Sequence, residues 1–333
     1  MSRIYRDAGE LVFDDVFLEV PGVLLDSRVI LKVEGLNPAG SIKFKTALAL
    51  VDSVERDGRL RPGGRVVESS SGSLGVALSL VCAQRGYRFT CVVDPVSNPQ
   101  SVDYMRAMGA EVLTVRDRDE NGGFLATRIR LIQRLLGEDP ELVWVNQYAN
   151  PANPDVHARL TARSILSAVP HVDHLFVGVG TAGTMMGCAA AFRESSPATR
   201  IIAVDSVGSV TFGRAPGPRH IPGLGTSRRP EICDPTAPDD LVLVREIDTI
   251  RECRESSRRI GLLVGGSTGT VIRAIRMYAD RIPPGSTVVA ISPDFGDRYL
   301  PTIYDSDWVE RTYGLSALEP EPARTTGETV MRS

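Results

Sequence analysis

Apolar runs rich in β-branched residues alternate with longer amphipathic stretches along most of the chain. The apolar runs predict strands at residues 29–33, 65–68, 88–93, 111–115, 174–179, 200–205 and 286–292. Apolar positions at helical spacing predict helices at residues 42–57, 74–85, 101–108, 123–136, 153–168, 184–195, 247–260 and 268–279. Strands alternating with helices of about a dozen residues are typical of βαβ units, so the pattern predicts an α/β fold with a mostly parallel sheet.

Four turns rich in glycine or serine fall where a predicted strand gives way to a helix. They are NPAGS (37–41), SSSGSLG (69–75), GVGTAGT (178–184) and GGSTGT (265–270). In parallel α/β folds, ligands bind at the carboxyl ends of strands, where helix N-termini present free N–H groups. The four turns together therefore predict one shared site for an anionic ligand.

The third turn also matches the dinucleotide pattern G-x-G-x-x-G over residues 178–183. Asp205 ends the next predicted strand, where an acid that binds ribose is expected, so an NAD-dependent oxidoreductase is one hypothesis. The added hydroxyls of Thr181 and Thr184 favour a single terminal phosphate instead. The oxidoreductase hypothesis also leaves the turn at 265–270 and a lysine-containing segment without a role.

That segment stands out because the chain has 38 basic residues and its lysines are confined to Lys32, Lys43 and Lys45. A Schiff base needs a primary amine, which arginine lacks. A helix that begins after Ser41 places Lys43 in its first turn, where free N–H groups and the helix dipole disfavour the ammonium form. Lys45 lies about 200° further around the helix and faces elsewhere. Lys43 is therefore the predicted reactive amine.

The composition narrows the function further. The 333 residues are 42% hydrophobic and 24% charged with a net charge of -3, which indicates a globular protein without a basic patch for nucleic acid. The apolar runs are too short for a bilayer span. An odd number of widely spaced cysteines predicts buried thiols of a cytoplasmic protein rather than disulfides or a metal site. The cysteines are Cys82, Cys91, Cys188, Cys233 and Cys253.

Six segments, in this order, resemble fold-type II pyridoxal 5'-phosphate (PLP) enzymes of the cysteine synthase family. They are KVEGLNPAGSIK (32–43), ESSSGSLGVALS (68–79), VNQYANPANPDVH (145–157), GVGTAGTMMG (178–187), GGSTGT (265–270) and SPDFGDRYL (292–300). The resemblance runs from about residue 28 to residue 312.

This resemblance implies a tryptophan synthase β-subunit-like fold, with two three-layer α/β/α domains of mostly parallel sheet. Residues 45–150 would form a smaller, mobile domain that carries the turn for the substrate carboxylate. Residues 1–44 and 151–317 would form a larger PLP-binding domain, and 318–333 a disordered tail. It also implies a homodimer whose other partners are small amino-acid substrates.

The resemblance implies a role for each residue of the site. Lys43 would carry PLP, Ser73 would lie beside its ring, and Ser267 would contact the pyridine nitrogen. The cofactor phosphate would be held by Gly180, Thr181, Ala182, Gly183 and Thr184. The substrate would be bound by Ser70, Ser71, Gly72, Gln147, Arg128 and Tyr148. His157 is expected to be structural.

Further segments narrow the implied reaction. CVVDP (91–95), GGFLATRI (122–129), AVDSVGSVTFG (203–213) and IPGLGTSRRPEI (221–232) resemble family members that join the amine of L-glutamate to O-phospho-L-serine in 2,3-diaminopropionate biosynthesis. Lys43 would remove the α-proton, and loss of phosphate would leave an aminoacrylate to which the amine adds. Cations for the anionic substrates would be Arg128 and, in the Pro/Gly-rich stretch 212–230, Arg214, Arg219 or Arg228.

Two other functions stay open at this point. A sulfur nucleophile could replace the amine, with O-phosphoserine or O-acetylserine, to give cysteine or S-sulfocysteine. A PLP-binding protein without turnover is the other.

The chain departs from the family pattern in three places. Ser73 stands where the family has asparagine, Phe44 and Lys45 stand where it has Asp-Arg, and residues 13–20 replace a Gly-x-Thr-Pro-Leu turn.

Overall fold

The computed structural model describes residues 4–314, in which ten strands form two sheets. The larger sheet has the order β1 (Phe17–Glu19), β2 (Arg28–Val33), β10 (Thr287–Ser292), β7 (His174–Gly178), β8 (Arg200–Ser206) and β9 (Asp240–Val244). The smaller sheet has the order β5 (Glu111–Thr114), β4 (Arg88–Val93), β3 (Arg65–Ser69) and β6 (Leu142–Trp144). Among these pairs β1 with β2 is antiparallel and the others are parallel, which confirms the predicted sheet type.

Helices connect the strands. They are α1 (Lys43–Arg56), α2 (Ser73–Arg85), α3 (Pro99–Ala107), α4 (Leu125–Glu138), α5 (Ala152–Val156), α6 (Arg163–Ala168), α7 (Gly183–Ser195), α8 (Glu246–Ile260), α9 (Gly266–Met277) and α10 (Ser306–Tyr313). A π-helical segment, His157–Ala162, joins α5 to α6. Short 3-10 turns lie at Ala8–Glu10, Ala279–Arg281 and Gly296–Tyr299.

Each sheet is covered on both faces, because alternate side chains of a strand point to opposite sides. In β7, Leu175 and Val177 enter one apolar cluster and Phe176 enters another. In β3, Val66 and Val67 likewise belong to separate clusters. Both sheets are thus the middle layer of an α/β/α arrangement, as predicted.

Sequence patterns located the long elements and missed short ones. All predicted strands and helices are present, with ends displaced by a few residues. The missed elements are β1, β6, β9 and α10; β1 and β6 have three residues each, too few for a period to register. The predicted helix at 153–168 is interrupted by the π-helical segment.

The smaller sheet uses strands between residues 65 and 144, whereas the larger uses strands at 17–33 and 174–292. The domain boundaries themselves stay a prediction, and the predicted tail at 318–333 lies outside the described residues. All five cysteines are buried free thiols. Every described helix is too short or too polar to traverse a lipid bilayer.

Candidate active site

One cavity of about 380 Å³ lies between the two sheets. It is lined by residues that follow β2, β3, β4, β7, β8 and β10, so the carboxyl ends of strands from both sheets face it. Each of the four glycine- or serine-rich turns contributes to its wall, and the predicted site residues line it with the exception of Arg214 and Arg228. The roles of these residues stay predictions, but the structure does bring them together.

Lys43 is the first residue of α1, and its side chain lines the cavity. The preceding turn is fixed by a 2.7 Å hydrogen bond from the Ile42 N–H to the Pro293 carbonyl. Burial lowers the pKa of Lys43 to about 8, and the nearby Asp294 carboxyl opposes that shift. The reactive amine was predicted from the helix dipole; desolvation is the main cause instead.

Lys45 points away from the cavity, as its position around the helix predicted. Its amine donates to Asp14 at 2.5 Å, to Glu34 at 2.9 Å and to Thr161 Oγ1 at 2.8 Å. Lys32 shares the same carboxylates, at 3.1 Å from Asp14 and 3.4 Å from Glu34. Asp14 belongs to the segment that departs from the family pattern, so this segment supplies a counterion to two buried lysines.

The turn at residues 180–184 has the features of a phosphate site. Helix α7 begins at Gly183, and Ala182 has a left-handed backbone with φ 67°. The hydroxyl of Thr181 is buried without a hydrogen-bond partner in the described protein. A Cβ on Gly183 would lie 2.0 Å from Asn153 Oδ1, so only glycine fits there. Free N–H groups and an unused hydroxyl suit the terminal phosphate of PLP.

His157 supports this turn from behind. It is fully buried and does not line the cavity. Its Nε2 lies 3.3 Å from Thr184 Oγ1 and 3.1 Å from Thr46 Oγ1, and its Nδ1 lies 3.1 Å from Thr161 Oγ1. Burial holds its pKa well below the ordinary range, with Lys45 and Lys43 adding to the shift. A neutral, structural histidine accounts for these contacts.

The turn at residues 70–73 is held in shape for a carboxylate. The Ser70 hydroxyl accepts from the Gly75 N–H at 2.9 Å, and α2 begins at Ser73. Gln147 Nε2 donates to the Ser69 carbonyl at 2.8 Å, and the Tyr148 hydroxyl donates to it at 3.1 Å. The free N–H groups of the helix start therefore face the cavity beside Gln147.

Glu68 lies beneath this turn and was not predicted as part of the site. Its carboxylate accepts from the Ser69 N–H at 2.6 Å, the Gln147 N–H at 2.9 Å and Trp144 Nε1 at 3.0 Å. Burial raises its pKa to about 7 despite these bonds. The sequence feature that could have identified Glu68 is an acidic residue near the end of a buried strand.

Arg128, on α4, is buried with unused donors. Its Nε lies 3.5 Å from Asp94 Oδ2, too long for a hydrogen bond, and its Nε and Nη1 have no hydrogen-bond partner in the described protein. Five lysine and arginine side chains line the cavity: Lys43, Arg118, Arg128, Arg219 and Arg298. Asp94 and Asp294 are the acidic residues of the wall. In a chain of net charge -3, this balance makes the cavity attractive to anions.

The three arginines predicted within stretch 212–230 differ in their position relative to the cavity. Arg219 lines the cavity. Arg214 is exposed and Arg228 pairs with Glu231, and neither lines the cavity. The structure therefore retains one of these three candidates.

Arg298 and Asp294 complete the wall, and their roles were missed although they lie in a quoted segment. Arg298 Nη1 donates to Ser73 Oγ at 3.3 Å and its Nη2 to the Ala39 carbonyl at 2.5 Å. At position 73, where the family has asparagine, the serine hydroxyl thus accepts a hydrogen bond from the Arg298 guanidinium. Asp294 accepts from the Tyr299 hydroxyl at 2.9 Å, and burial raises its pKa to about 6.

Besides the Arg298–Ser73 contact, two amide–carbonyl hydrogen bonds connect the two sides of the cavity, and Ser227 Oγ donates to Asp119 Oδ2 at 3.1 Å. Asn98 Nδ2 donates to the Arg298 carbonyl at 2.6 Å, and Asn121 Nδ2 donates to the Ser227 carbonyl at 2.8 Å. Each joins a loop of the smaller sheet to a loop of the larger one.

The structure does not support Asp205 as the ribose-binding acid of a dinucleotide site. Asp205 is fully buried, accepts from the Ser206 N–H at 2.7 Å and does not line the cavity. A ribose bound beside the glycine turn would not reach it.

Comparison with known proteins agrees with this geometry. Residues 17–294 match the family described as "Pyridoxal-phosphate dependent enzyme". A protein of Ralstonia nicotianae named N-(2-amino-2-carboxyethyl)-L-glutamate synthase is 41% identical over 286 residues, 86% of this chain and 85% of that protein. One of the same name from Cupriavidus metallidurans is 38% identical over 290 residues, with the same coverage.

Solved structures share the fold. The crystal structure of O-ureido-L-serine synthase has a TM-score of 0.84 and 30% identity, covering 91% of this chain and 96% of that one. The O-acetylserine dependent cystathionine beta-synthase from Helicobacter pylori has a TM-score of 0.84 and 27% identity, covering 91% and 100%. The chain is a member of the pyridoxal-phosphate dependent enzyme family, and its cofactor is pyridoxal 5'-phosphate.

Proposed function

We propose that this enzyme joins the amine of L-glutamate to the β-carbon of O-phospho-L-serine, giving N-(2-amino-2-carboxyethyl)-L-glutamate and phosphate. The C–O bond to phosphate breaks, a C–N bond forms, and the glutamate amine loses one proton. The observation that carries the proposal is the excess of basic residues around Lys43, in a chain whose relatives are named for this product. Both substrates are anionic, and such a cavity attracts both.

PLP, when bound, supplies an electron-withdrawing ring that stabilises negative charge on the α-carbon of an attached amino acid. The protein supplies the rest. The amine of Lys43, with its pKa lowered to about 8, takes the α-proton, because an amine that is partly neutral near neutral pH is an effective base. Ser267, 4% exposed at the start of α9, would contact the ring nitrogen of the bound cofactor.

The remaining residues bind and orient. The turn at 180–184 would hold the cofactor phosphate, with Thr181 supplying its unused hydroxyl. The turn at 70–73 and Gln147 hold the α-carboxylate of phosphoserine, and Tyr148 closes the cavity beside them. Arg128, with two unused donors, binds the departing phosphate or an incoming carboxylate.

A sulfur nucleophile is the second candidate. A solved structure of similar fold is titled as an O-acetylserine dependent cystathionine beta-synthase, and another as a hydrogen sulfide-producing enzyme. The same cavity could therefore serve a sulfur anion.

One assay separates the two. PLP-loaded enzyme is mixed with O-phosphoserine and either L-glutamate, sulfide or thiosulfate, while phosphate release and product mass are followed. The proposal requires the glutamate adduct to form fastest. Phosphate release with sulfide or thiosulfate alone would replace it with the sulfur reaction, and binding without any phosphate release would indicate a non-catalytic protein. The predicted homodimer is part of this proposal, supported by the family resemblance, and light scattering tests it.

A further inference from the structure

Arg219 has a buried N–H donor that forms no hydrogen bond within the described part of the protein. Its side chain lines the cavity, and its Nε is buried without a hydrogen-bond partner. Its Nη1 donates to the Leu224 carbonyl at 3.4 Å, near the limit for such a bond. A buried N–H donor without a partner is unfavourable unless an acceptor reaches it.

The acidic residues around Arg219 affect its pKa through electrostatics, without hydrogen bonds to it. Burial, the largest effect, lowers its pKa, and Asp205, Glu246 and Asp119 oppose the shift. Each of these carboxylates accepts hydrogen bonds from other groups. Within residues 4–314, Arg219 forms no ion pair. Its charge is therefore available to a bound anion.

The other arginines of the cavity are differently placed. Arg118 and Arg298 donate to carbonyl groups of the protein. Arg128, like Arg219, has donors without a partner. Arg128 lies on α4, which packs on the smaller sheet, whereas Arg219 follows β8 of the larger sheet. Two guanidiniums with unused donors thus reach the same cavity from separate parts of the fold.

A second substrate with two carboxylates matches this pair. On the proposed function, the α-carboxylate of phosphoserine occupies the turn at 70–73, so it does not need either guanidinium. A neutral amino acid brings one carboxylate to the cavity, whereas a dicarboxylic amino acid brings two. An enzyme that binds the second carboxylate with a buried donor rejects analogues that lack it.

We propose that Arg219 binds the side-chain carboxylate of a dicarboxylic amino acid and so selects it as the amine-bearing substrate. This inference rests on the proposed function, because it assumes that an amine is the nucleophile.

The test compares Arg219→Gln and Arg219→Lys with the control Arg228→Gln, an arginine of the same stretch that pairs with Glu231 away from the cavity. PLP-loaded proteins are assayed with L-glutamate and with L-glutamine, which has an amide in place of the carboxylate. The ratio of kcat/KM for glutamate to that for glutamine should fall by about 10- to 100-fold in Arg219→Gln. It should fall less in Arg219→Lys and stay unchanged in Arg228→Gln.

Two further readouts make the outcome decisive. Calorimetric binding of glutarate should weaken in Arg219→Gln, while phosphate release from phosphoserine without a second substrate should match the wild type. Loss of that phosphate release would assign Arg219 to the phosphate and overturn the inference. An equal loss for both amines with a lower Tm would make Arg219 a structural partner of Asp205. Wild-type protein that binds glutarate but does not use glutamate would contradict the proposed function, and wild-type protein that does not bind glutarate would contradict the inference.

Discussion

The amine of Lys45 lies 2.9 Å from a carboxylate oxygen of Glu34, and both side chains are almost completely buried. Lys32 and Asp14 complete this buried ion cluster. Removing one partner from a buried pair leaves an uncompensated charge. Two of the three lysines of the chain are thus committed to structure, and Lys43 is the lysine left to the cavity.

We expect Glu34→Gln to lower the free energy of unfolding by about 3–5 kcal/mol, because two buried ammonium groups would then share Asp14 alone. Urea unfolding followed by circular dichroism measures this. Glu19→Gln is the control, since Glu19 pairs with Arg28 at the surface, where both side chains are more than half exposed. Equal effects of the two changes would show that the cluster contributes little.

Lys43→Ala should abolish covalent attachment of PLP while the protein stays folded. Borohydride reduction followed by peptide mass mapping should place PLP on Lys43 of the wild type and on no lysine of the variant. Lys45→Met serves as a comparison: it should lower the stability of the protein and leave the label on Lys43. A label on Lys32 or Lys45 in the wild type would reject the proposed chemistry.

The rate at which apo-protein attaches PLP should rise with pH and level off above about pH 8. The amine of Lys43 attacks only when neutral, and burial lowers its pKa from 10.5 to about 8. The rate therefore falls as pH drops through about 8. Stopped-flow absorbance over this range measures it, and a rate still rising at pH 10 would mean that Lys43 is solvated.

Thr181→Val should weaken PLP affinity by about tenfold without lowering the stability of the apo-protein, because the hydroxyl has no partner within the described protein. Thr161→Val is the contrasting change. It leaves Lys45 Nζ and His157 Nδ1 short of a partner and should cost about 1–3 kcal/mol of stability. Titration with PLP and thermal unfolding separate the two. A lower Tm for apo Thr181→Val would contradict the phosphate role.

Arg128→Gln should raise KM for phosphoserine or glutamate, because a buried guanidinium with two unused donors lines the cavity. Arg130→Gln, an exposed change on the same helix, should leave both constants as in the wild type. Steady-state kinetics with each substrate varied in turn decides which anion Arg128 serves. Unchanged constants in Arg128→Gln would remove it from the site.

The sequence was informative where chemistry is local. Lys43 and the turn at 180–184 are predicted from their residue types and their places after strands, Ser267 is predicted from the family resemblance alone, and the α/β fold follows from the alternation of strands and helices. Contacts between distant parts of the chain could not be predicted from the sequence. Arg298 reaches Ser73 from 225 residues away, which no local pattern encodes. The cause of the lowered pKa of Lys43 was also missed, since burial depends on what packs around the amine.

The bonds from Asn98 to the Arg298 carbonyl and from Asn121 to the Ser227 carbonyl have a kinetic consequence. Both join uncharged groups, and the bonds from Ser227 to Asp119 and from Arg298 to Ser73 each have a single charged partner, so none of these four contacts is an ion pair. Capture of an anion by the surrounding guanidiniums, in contrast, weakens as salt screens their charge. We therefore expect added salt to slow the capture of anionic substrates more than it changes the separation of the two sides.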